Sequence, residues 1–323
     1  MMNLSEARKR VDRQLADISN LRSPETLYEP MDYLLSLGGK RMRPYLCLLG
    51  ASVAGGDPQE AVDAAVAIEL FHNFSLMHDD IMDEAPLRRG KPTVHARWNE
   101  NQAILSGDAM LVCAYDLLIK SGHTQTVEML ALFNQTALEV CEGQQLDMDF
   151  ENREDVTVEE YIEMIRLKTS VLIGASLSLG AKCSGASGEV SDALYDFGIN
   201  LGLAFQLRDD YLDTFGDSEQ TGKQSGGDIL ADKKTYLHLC AVSRASDQQR
   251  AIMLNMPGSV LRGQEKVQAV RTIMEQTGAK EDCQRLTEQY LDRSMELLSG
   301  LKVRGEAWEE LSGLARFVTS RSY

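Results

Sequence analysis

Apolar side chains recur along this chain at three- and four-residue steps from end to end, the spacing that draws one stripe along an α-helix. The pattern predicts helices over 4–20, 25–37, 44–54, 58–84, 99–121, 124–150, 157–182 and 187–215. Shorter ones follow over 233–246, 259–276, 279–299 and 305–319. No segment alternates as a strand does, and no turn dipeptide sits between β-branched runs. The punctuation agrees: Pro24, Pro44 and Pro58 stand near helix starts, where a missing N–H costs nothing. Gly55-Gly56, Pro86, Gly122, Gly216 and Gly226-Gly227 fall between the periodic segments. The stretch VLIGASLSLGAKCSGAS is almost uncharged and rich in small residues, as a central helix packed on several sides would be. With no Pro/Gly/Ser-rich linker and no internal repeat, residues 1–323 read as one all-α domain.

Composition narrows the class of ligand. Against 33 basic residues stand 49 acidic ones, a formal charge of -16, which argues against nucleic acid as a partner and suits a cytoplasmic protein that attracts cations. The leading MMNLSEARKRVDRQ has no apolar signal core, and no run reads as a membrane span. The six cysteines, at 47, 113, 141, 183, 240 and 283, include no CxxC pair and read as small buried apolar residues in a reducing compartment.

Two clusters of acids stand out against this background. LMHDDIMDEAP places Asp79, Asp80 and Asp83 at the end of a helix that Pro86 stops, and QLRDDYLDTFGD repeats the spacing with Asp209, Asp210 and Asp213 before Gly216. The C-terminal turn of a helix is its negative end and favours Lys or Arg, so three carboxylates there are opposed by the helix and by one another. Residues i, i+3 and i+4 share a helix face, and divalent cations would relieve the repulsion; an all-oxygen donor set favours Mg²⁺. Mg²⁺ held by few carboxylates is completed by phosphate oxygens, and basic residues flank both clusters. GGKRMRP brings Lys40, Arg41 and Arg43 to a helix start, LRRGKPT brings Arg88, Arg89 and Lys91 after the first cluster, and TGKQSGGDILADKK brings Lys223, Lys233 and Lys234 after the second. Lys168 lies between Ile165 and Leu172 on an apolar face, a place for a lysine that snorkels or lines a polar cavity. The sequence ELFH (69–72) spells half of a di-iron motif, but no second half exists.

Taken together, the paired DDxxD clusters with GGKRMRP, RRG, KT, FQ and GK resemble the trans-isoprenyl (polyprenyl) diphosphate synthases, over about Gly38 to Lys234. The resemblance implies an all-α, single-domain bundle of isoprenoid synthase type around a deep central cavity, working as a homodimer. It implies a head-to-tail condensation of isopentenyl diphosphate with an allylic diphosphate. By the same resemblance, Asp79, Asp80, Asp83, Asp209, Asp210 and Asp213 would hold Mg²⁺, three ions once the allylic diphosphate is bound. Arg88, Lys168 and Lys223 would bind that diphosphate, with Lys233 further away, and Lys40, Arg43, His72 and Arg89 would bind isopentenyl diphosphate. Thr169 and Gln206 would face the developing cation, and Gln144 and Asp147 would support the first metal site.

Product length is expected to depend on the first acid helix. At ~1.5 Å per residue, Phe74 lies roughly 7 Å and Phe71 roughly 12 Å below Asp79, while Ser75 leaves room one turn down. In the family this is a short-chain pattern, here favouring twenty carbons, with fifteen next; Met77 and Met110 also approach the path. A terpene cyclase would replace the second acid motif and lack GGKRMRP; a head-to-head synthase would carry altered acid motifs. A non-catalytic partner subunit would have lost Asp from one cluster, and a di-metal redox bundle would have no use for the phosphate-binding cations.

Overall fold

A computed structural model describes residues 4–18, 23–216, 226–256, 258–303 and 305–320. In chain order it contains α1 (Leu4–Ala16), α2 (Glu25–Ser36), α3 (Met42–Val53), a 3-10 turn (Pro58–Ala61), α4 (Val62–Met82), β1 (Leu87–Arg88), β2 (Lys91–Pro92), α5 (Val94–Arg97), α6 (Glu100–Lys120) and α7 (Thr126–Glu151). There follow α8 (Val158–Ile165), a π-helical turn (Arg166–Ser170), α9 (Val171–Cys183), α10 (Gly188–Phe215), α11 (Gly227–Leu230), α12 (Tyr236–Arg244), α13 (Asp247–Met253), α14 (Gly263–Gln276), α15 (Ala279–Gly300) and α16 (Glu306–Ser320). The fold is all-α, and every long helix stands where the apolar stripe predicts it.

Three local departures matter for the site. The only pairing of strands among the described residues is the hairpin Leu87↔Pro92, Arg88↔Lys91, turned by Arg89 (φ 52) and Gly90 (φ 74). Two central residues with positive φ suit the twist of a two-residue hairpin, a signal hidden by the absence of flanking β-branched runs. The predicted helix 157–182 is interrupted by the π turn at 166–170, which holds Lys168 and Thr169. Two stretches, Glu100–Lys120 and Val158–Cys183, do reach the length and apolarity of a membrane span, correcting the sequence reading. In the second, 83% of the apolar window is buried inside the protein, so helix packing accounts for its composition; in α6 the figure is 39%.

The residues group into two compact units interleaved along the chain. The first takes Met1–Gln135, Ala175–Tyr195 and Val303–Trp308, and the second takes Thr136–Gly174, Asp196–Lys302 and Glu309–Tyr323. The first is centred on α4, which packs along α6 and α3 and buries Val66, Ile68, Leu70, Phe71 and Met77. Within it Gly180 of α9 lets the backbone of α3 pass: a Cβ there would stand 1.8 Å from the Cys47 carbonyl oxygen. The core of the second unit joins α8, α12, α14 and α15 through Tyr161, Ile165, Leu207, Leu237, Cys240, Val267, Ile273 and Cys283. The cysteine reading holds for five residues; Cys141 is exposed.

Candidate active site

In the first unit α4 carries the first acid cluster to its C-terminal end. Asp83 caps the helix, Glu84 takes a left-handed conformation (φ 48), and Ala85 N–H donates to the Asp80 carbonyl at 2.9 Å while Glu84 N–H donates to that of Ile81 at 3.1 Å. This is the double bond that closes a helix through a left-handed residue, here without glycine. Thr93 then ties the loop back, its hydroxyl donating to the Ala85 carbonyl at 2.7 Å. Asp80 is turned inward and is 1% exposed. Arg88, on β1, holds it: Nε donates to both carboxylate oxygens at 2.8 Å and Nη2 reaches Oδ1 at 2.7 Å. Arg88 Nη2 also stands 3.8 Å from Asp79 Oδ2. Burial opposes the Arg88 charge, but the hydrogen bond to Asp80 and the charges of Asp80, Asp79 and Asp83 outweigh it and raise its pKa.

A cluster of cations lies beside this end of α4. Arg43 Nη1 is 3.2 Å from His72 Nε2. His72 is held well below its ordinary pKa, first by burial and then by Arg43, Arg89, Arg88 and Arg41, so the imidazole is neutral near pH 7. Arg43 and Arg89 are also lowered, in both cases first by loss of water. The guanidinium of Arg89 donates to the Gly38 carbonyl and packs against Gly39. Arg41 is committed to the protein itself, pairing with Glu69, 2% exposed, and donating to the Leu35 carbonyl at 2.7 Å. Glu69 also accepts from Asn73 Nδ2 at 3.1 Å, so the acid of ELFH is engaged with protein partners. Lys40 is exposed. Four guanidinium groups around a neutral histidine, with Glu69 and Asp80 as acids among them, make a place for an anion.

Below the acids runs a line of rings. Phe74 meets His78 at 4.7 Å and Phe71 at 5.6 Å between centroids; Phe71 meets Phe133 at 5.4 Å, and Phe133 meets Tyr115 at 5.0 Å. Phe71 is 1% exposed and Met77 and Met110 are fully packed, whereas Phe74 and Ser75 remain partly open. The Ser75 hydroxyl donates to the His72 carbonyl at 2.9 Å.

The second unit repeats the arrangement of acids with different partners. Asp210, 5% exposed, is again the inward member. It accepts from the Tyr161 hydroxyl and, at 3.1 Å, from Gln206 Nε2; the Gln206 carbonyl oxygen accepts from Thr169 Oγ1 at 3.4 Å. Burial pushes Asp210 up to about 7, with the charges of Asp228 and Asp209 adding to it and the two hydrogen bonds opposing. Lys168 Nζ donates to Asp147 Oδ2 on α7 at 2.6 Å. Close backbone approach positions this π turn: a Cβ on Gly143 would stand 2.3 Å from Lys168 N, and one on Gly202 would stand 2.7 Å from the Ser170 Cα. Asp213 accepts from Asp228 N–H at 2.8 Å, and Asp228 is itself raised to about 6 by burial and by Asp213, against Lys233 3.9 Å away.

The polyprenyl synthetase family profile matches residues 24–277. The chain belongs to this family. It is 42% identical over 319 residues to a short chain isoprenyl diphosphate synthase of Methanothermobacter thermautotrophicus, covering 98% of this chain and 96% of that one. It is 36% identical to a geranylfarnesyl diphosphate synthase of Natronomonas pharaonis, covering 99% and 97%. The crystal structure of a geranylgeranyl pyrophosphate synthetase from Pyrococcus horikoshii superposes with a TM-score of 0.92 at 34% identity, covering 98% of this chain and 97% of that one. The protein is a prenyltransferase of the isoprenoid synthase fold.

Within that family the six aspartates divide by environment. Asp80 and Asp210 are committed to protein partners, while Asp79, Asp83, Asp209 and Asp213 are partly or fully exposed. Among the described residues no three His, Cys, Asp or Glu side chains converge closely enough to enclose a metal. The exposed acids are hard oxygen donors and fit Mg²⁺ whose remaining positions go to water or phosphate. Gln144 is half-buried beside the Asp147 turn, Lys233 is 63% exposed, and Lys223 lies outside the described residues. Sequence reasoning missed Tyr161, Asp228 and the pairing of Arg41 with Glu69. Tyr161 had one signal, a hydroxyl two turns before Lys168 on the face of Ile165.

The buried Asp210 sets an expected pH dependence. An unfolded aspartate loses its proton near pH 4, whereas the folded one holds it to about 7, so folding takes up a proton between those values. In metal-free protein this contribution to stability is largest at low pH and is lost as pH rises from about 4 to about 7. Asp210→Asn is expected to flatten the melting temperature between pH 5 and 7.5 relative to wild type, read by thermal denaturation in chelator. An unchanged slope refutes the assignment.

Proposed function

We propose that this chain is a head-to-tail trans-prenyltransferase that joins isopentenyl diphosphate to an allylic diphosphate (dimethylallyl, geranyl or farnesyl), yielding a trans product five carbons longer. The observation that carries this reading is the division of each DDxxD into outer acids that are partly or fully exposed and a buried inner acid. Cationic side chains accompany both. In the first unit these are Arg88 and the cluster of Arg43, Arg89 and neutral His72; in the second, Lys168. Mg²⁺ held by Asp79, Asp83, Asp209 and Asp213 would neutralise the diphosphate and make it a leaving group. Asp80 and Asp210 act from behind, the first aiming Arg88 and the second aiming Gln206.

The remaining roles follow from chemistry. Arg88 and Lys168 rest on Asp80 and Asp147 and are stretched out to receive the allylic diphosphate, with Lys233 on the loop after the second cluster. Lys40, Arg43, Arg89 and His72 bind isopentenyl diphosphate by charge and hydrogen bonds, with no metal required. The Gln206 and Thr169 oxygens offer lone pairs to positive charge as the allylic bond breaks. Phe71, Phe74 and Phe133 keep water from the hydrocarbon. The departing diphosphate accepts the final proton.

Phe74, partly open where Phe71 is sealed by Phe133, sets the depth, and the twenty-carbon product is favoured. The relatives named for geranylgeranyl and geranylfarnesyl products support this range. A homodimer is supported by α6, where Leu105, Val112 and Ile119 recur every seven residues and are 59%, 67% and 57% exposed, an apolar stripe suited to a second copy. The buried cysteines suit the cytoplasm.

Three outcomes test the reading. Pure protein with Mg²⁺, isopentenyl diphosphate and each allylic primer in turn should form prenyl diphosphate, and Asp79→Ala or Asp209→Ala should lower kcat by about 10³-fold or more while leaving the fold intact. Full activity in either variant sinks the metal assignment, and an inactive wild type sinks the enzyme reading. Phe74→Ala should shift the product beyond twenty carbons on chromatography; an unchanged product places the floor elsewhere. Val112→Glu should convert a species of twice the 35.9 kDa chain mass into monomer in sedimentation, and a dimer that persists excludes this stripe as the interface.

A further inference from the structure

Behind the second acid cluster, three residues outside every role described so far form an electrostatic tie with its cationic end buried. Lys266, on α14, is 7% exposed, and its Nζ donates to Asp232 Oδ1 at 2.6 Å. Asn255 Nδ2 donates to the same oxygen at 2.8 Å. Asp232 and Asn255 both take left-handed backbone conformations, φ 54 and 51, a turn geometry that Asp and Asn adopt more readily than other non-glycine residues. A lysine stripped of water in this way is costly, and a lone pairing seldom repays the cost in stability; its return is a defined geometry.

The geometry it defines is that of the loop 226–235. Gly226 N–H donates to the Asp213 carbonyl at 2.7 Å, Asp228 N–H to the Asp213 carboxylate, and Lys233 N–H to the Asp228 carbonyl at 3.0 Å. At the far end Lys234 Nζ donates to the carbonyls of Phe150 and Glu151. Between these ends the loop lies against α13 and α14 around a water-sized cavity of about 10 Å³ lined by Asp228, Asp232, Lys233, His238, Met253 and Lys266. His238, lowered to about 4 chiefly by burial, is neutral there, so Lys266 is the pocket's buried charge opposite Asp232. The tie lands on the residue immediately before Lys233.

We infer that Lys266 is a positioning residue for the allylic diphosphate, holding Asp232 with Asn255 so that Lys233 and Asp228 keep their place beside the second acid cluster. The inference rests on the proposed prenyl transfer. It requires no contact between Lys266 and substrate.

The test compares Michaelis constants for the two substrates with Mg²⁺ saturating. Lys266→Met keeps the length of the side chain and removes its charge. It is expected to raise KM for the allylic diphosphate about tenfold, the value of one lost charge-assisted hydrogen bond, with KM for isopentenyl diphosphate within twofold of wild type. Asp232→Asn should do the same, and the double variant should be no worse than either single one. Lys266→Arg should recover most of the loss. Should Lys266→Met fail to fold, Asp232→Asn, whose side chain is 53% exposed, decides alone. A lowered melting temperature with both KM values unchanged, or both raised equally, overturns the inference and leaves the tie purely structural. An active wild type with unmoved variants defeats the tie alone, whereas an inactive wild type defeats the function on which it rests.

Discussion

Negative charge gathered at the negative ends of two helices is the constraint that the rest of this protein answers. Three carboxylates on one helical turn repel one another, and in both clusters the middle acid is buried and bound by protein partners. In the first unit Arg88 neutralises Asp80 with a two-pronged ion pair. Leaving that carboxylate buried without its partner would cost about 3–5 kcal/mol, so the hairpin that delivers Arg88 is part of the site's stability as well as its chemistry. In the second unit no ion pair to Asp210 is found among the described residues; hydrogen bonds from Tyr161 and Gln206 bind it, and burial raises its proton affinity. Either solution leaves the outer acids partly or fully open to solvent.

The same constraint shapes the surrounding backbone. Arg41, Glu84, Arg89, Asp232 and Asn255 are the non-glycine residues with positive φ among the described positions. Three border the first cluster and its arginines, and two form the tie behind the second. For Arg41, Glu84 and Arg89 such a conformation costs on the order of 1–3 kcal/mol, and around Arg41 and Arg89 it is accompanied by hydrogen bonds from the guanidinium groups. Strain is therefore stored where cations must be aimed. The lowered proton affinity of His72 belongs to the same pattern: burial first, and then four arginines, suppress its charge.

Much of this was legible in the one-dimensional pattern. Helix positions follow from apolar periodicity because burial of one face is a local, repeating requirement, and α4, α6 and α10 stand within a residue or two of their predicted bounds at most ends. The paired acid motifs and the basic stretches were legible because their spacing is itself the chemistry. The π turn at Lys168 was not, since its cause is the approach of Gly143 and Gly202 from elements far apart in sequence. The apolar stretch within 158–183 reads as a central packed helix, and the structure buries 83% of its apolar window inside the protein.

By itself, then, the order of residues determined that the chain is helical, where its helices lie, and that it gathers acids and bases suited to Mg²⁺ and diphosphate. Only the tertiary structure decided which aspartate of each trio faces inward, that Arg41 serves Glu69 while Arg43 serves His72, and that Lys266 reaches Asp232. The reason is physical. Spacing along a helix settles which side chains share a face, but the state and partner of a charge depend on how much water it loses and on what comes from distant parts of the chain to replace that water.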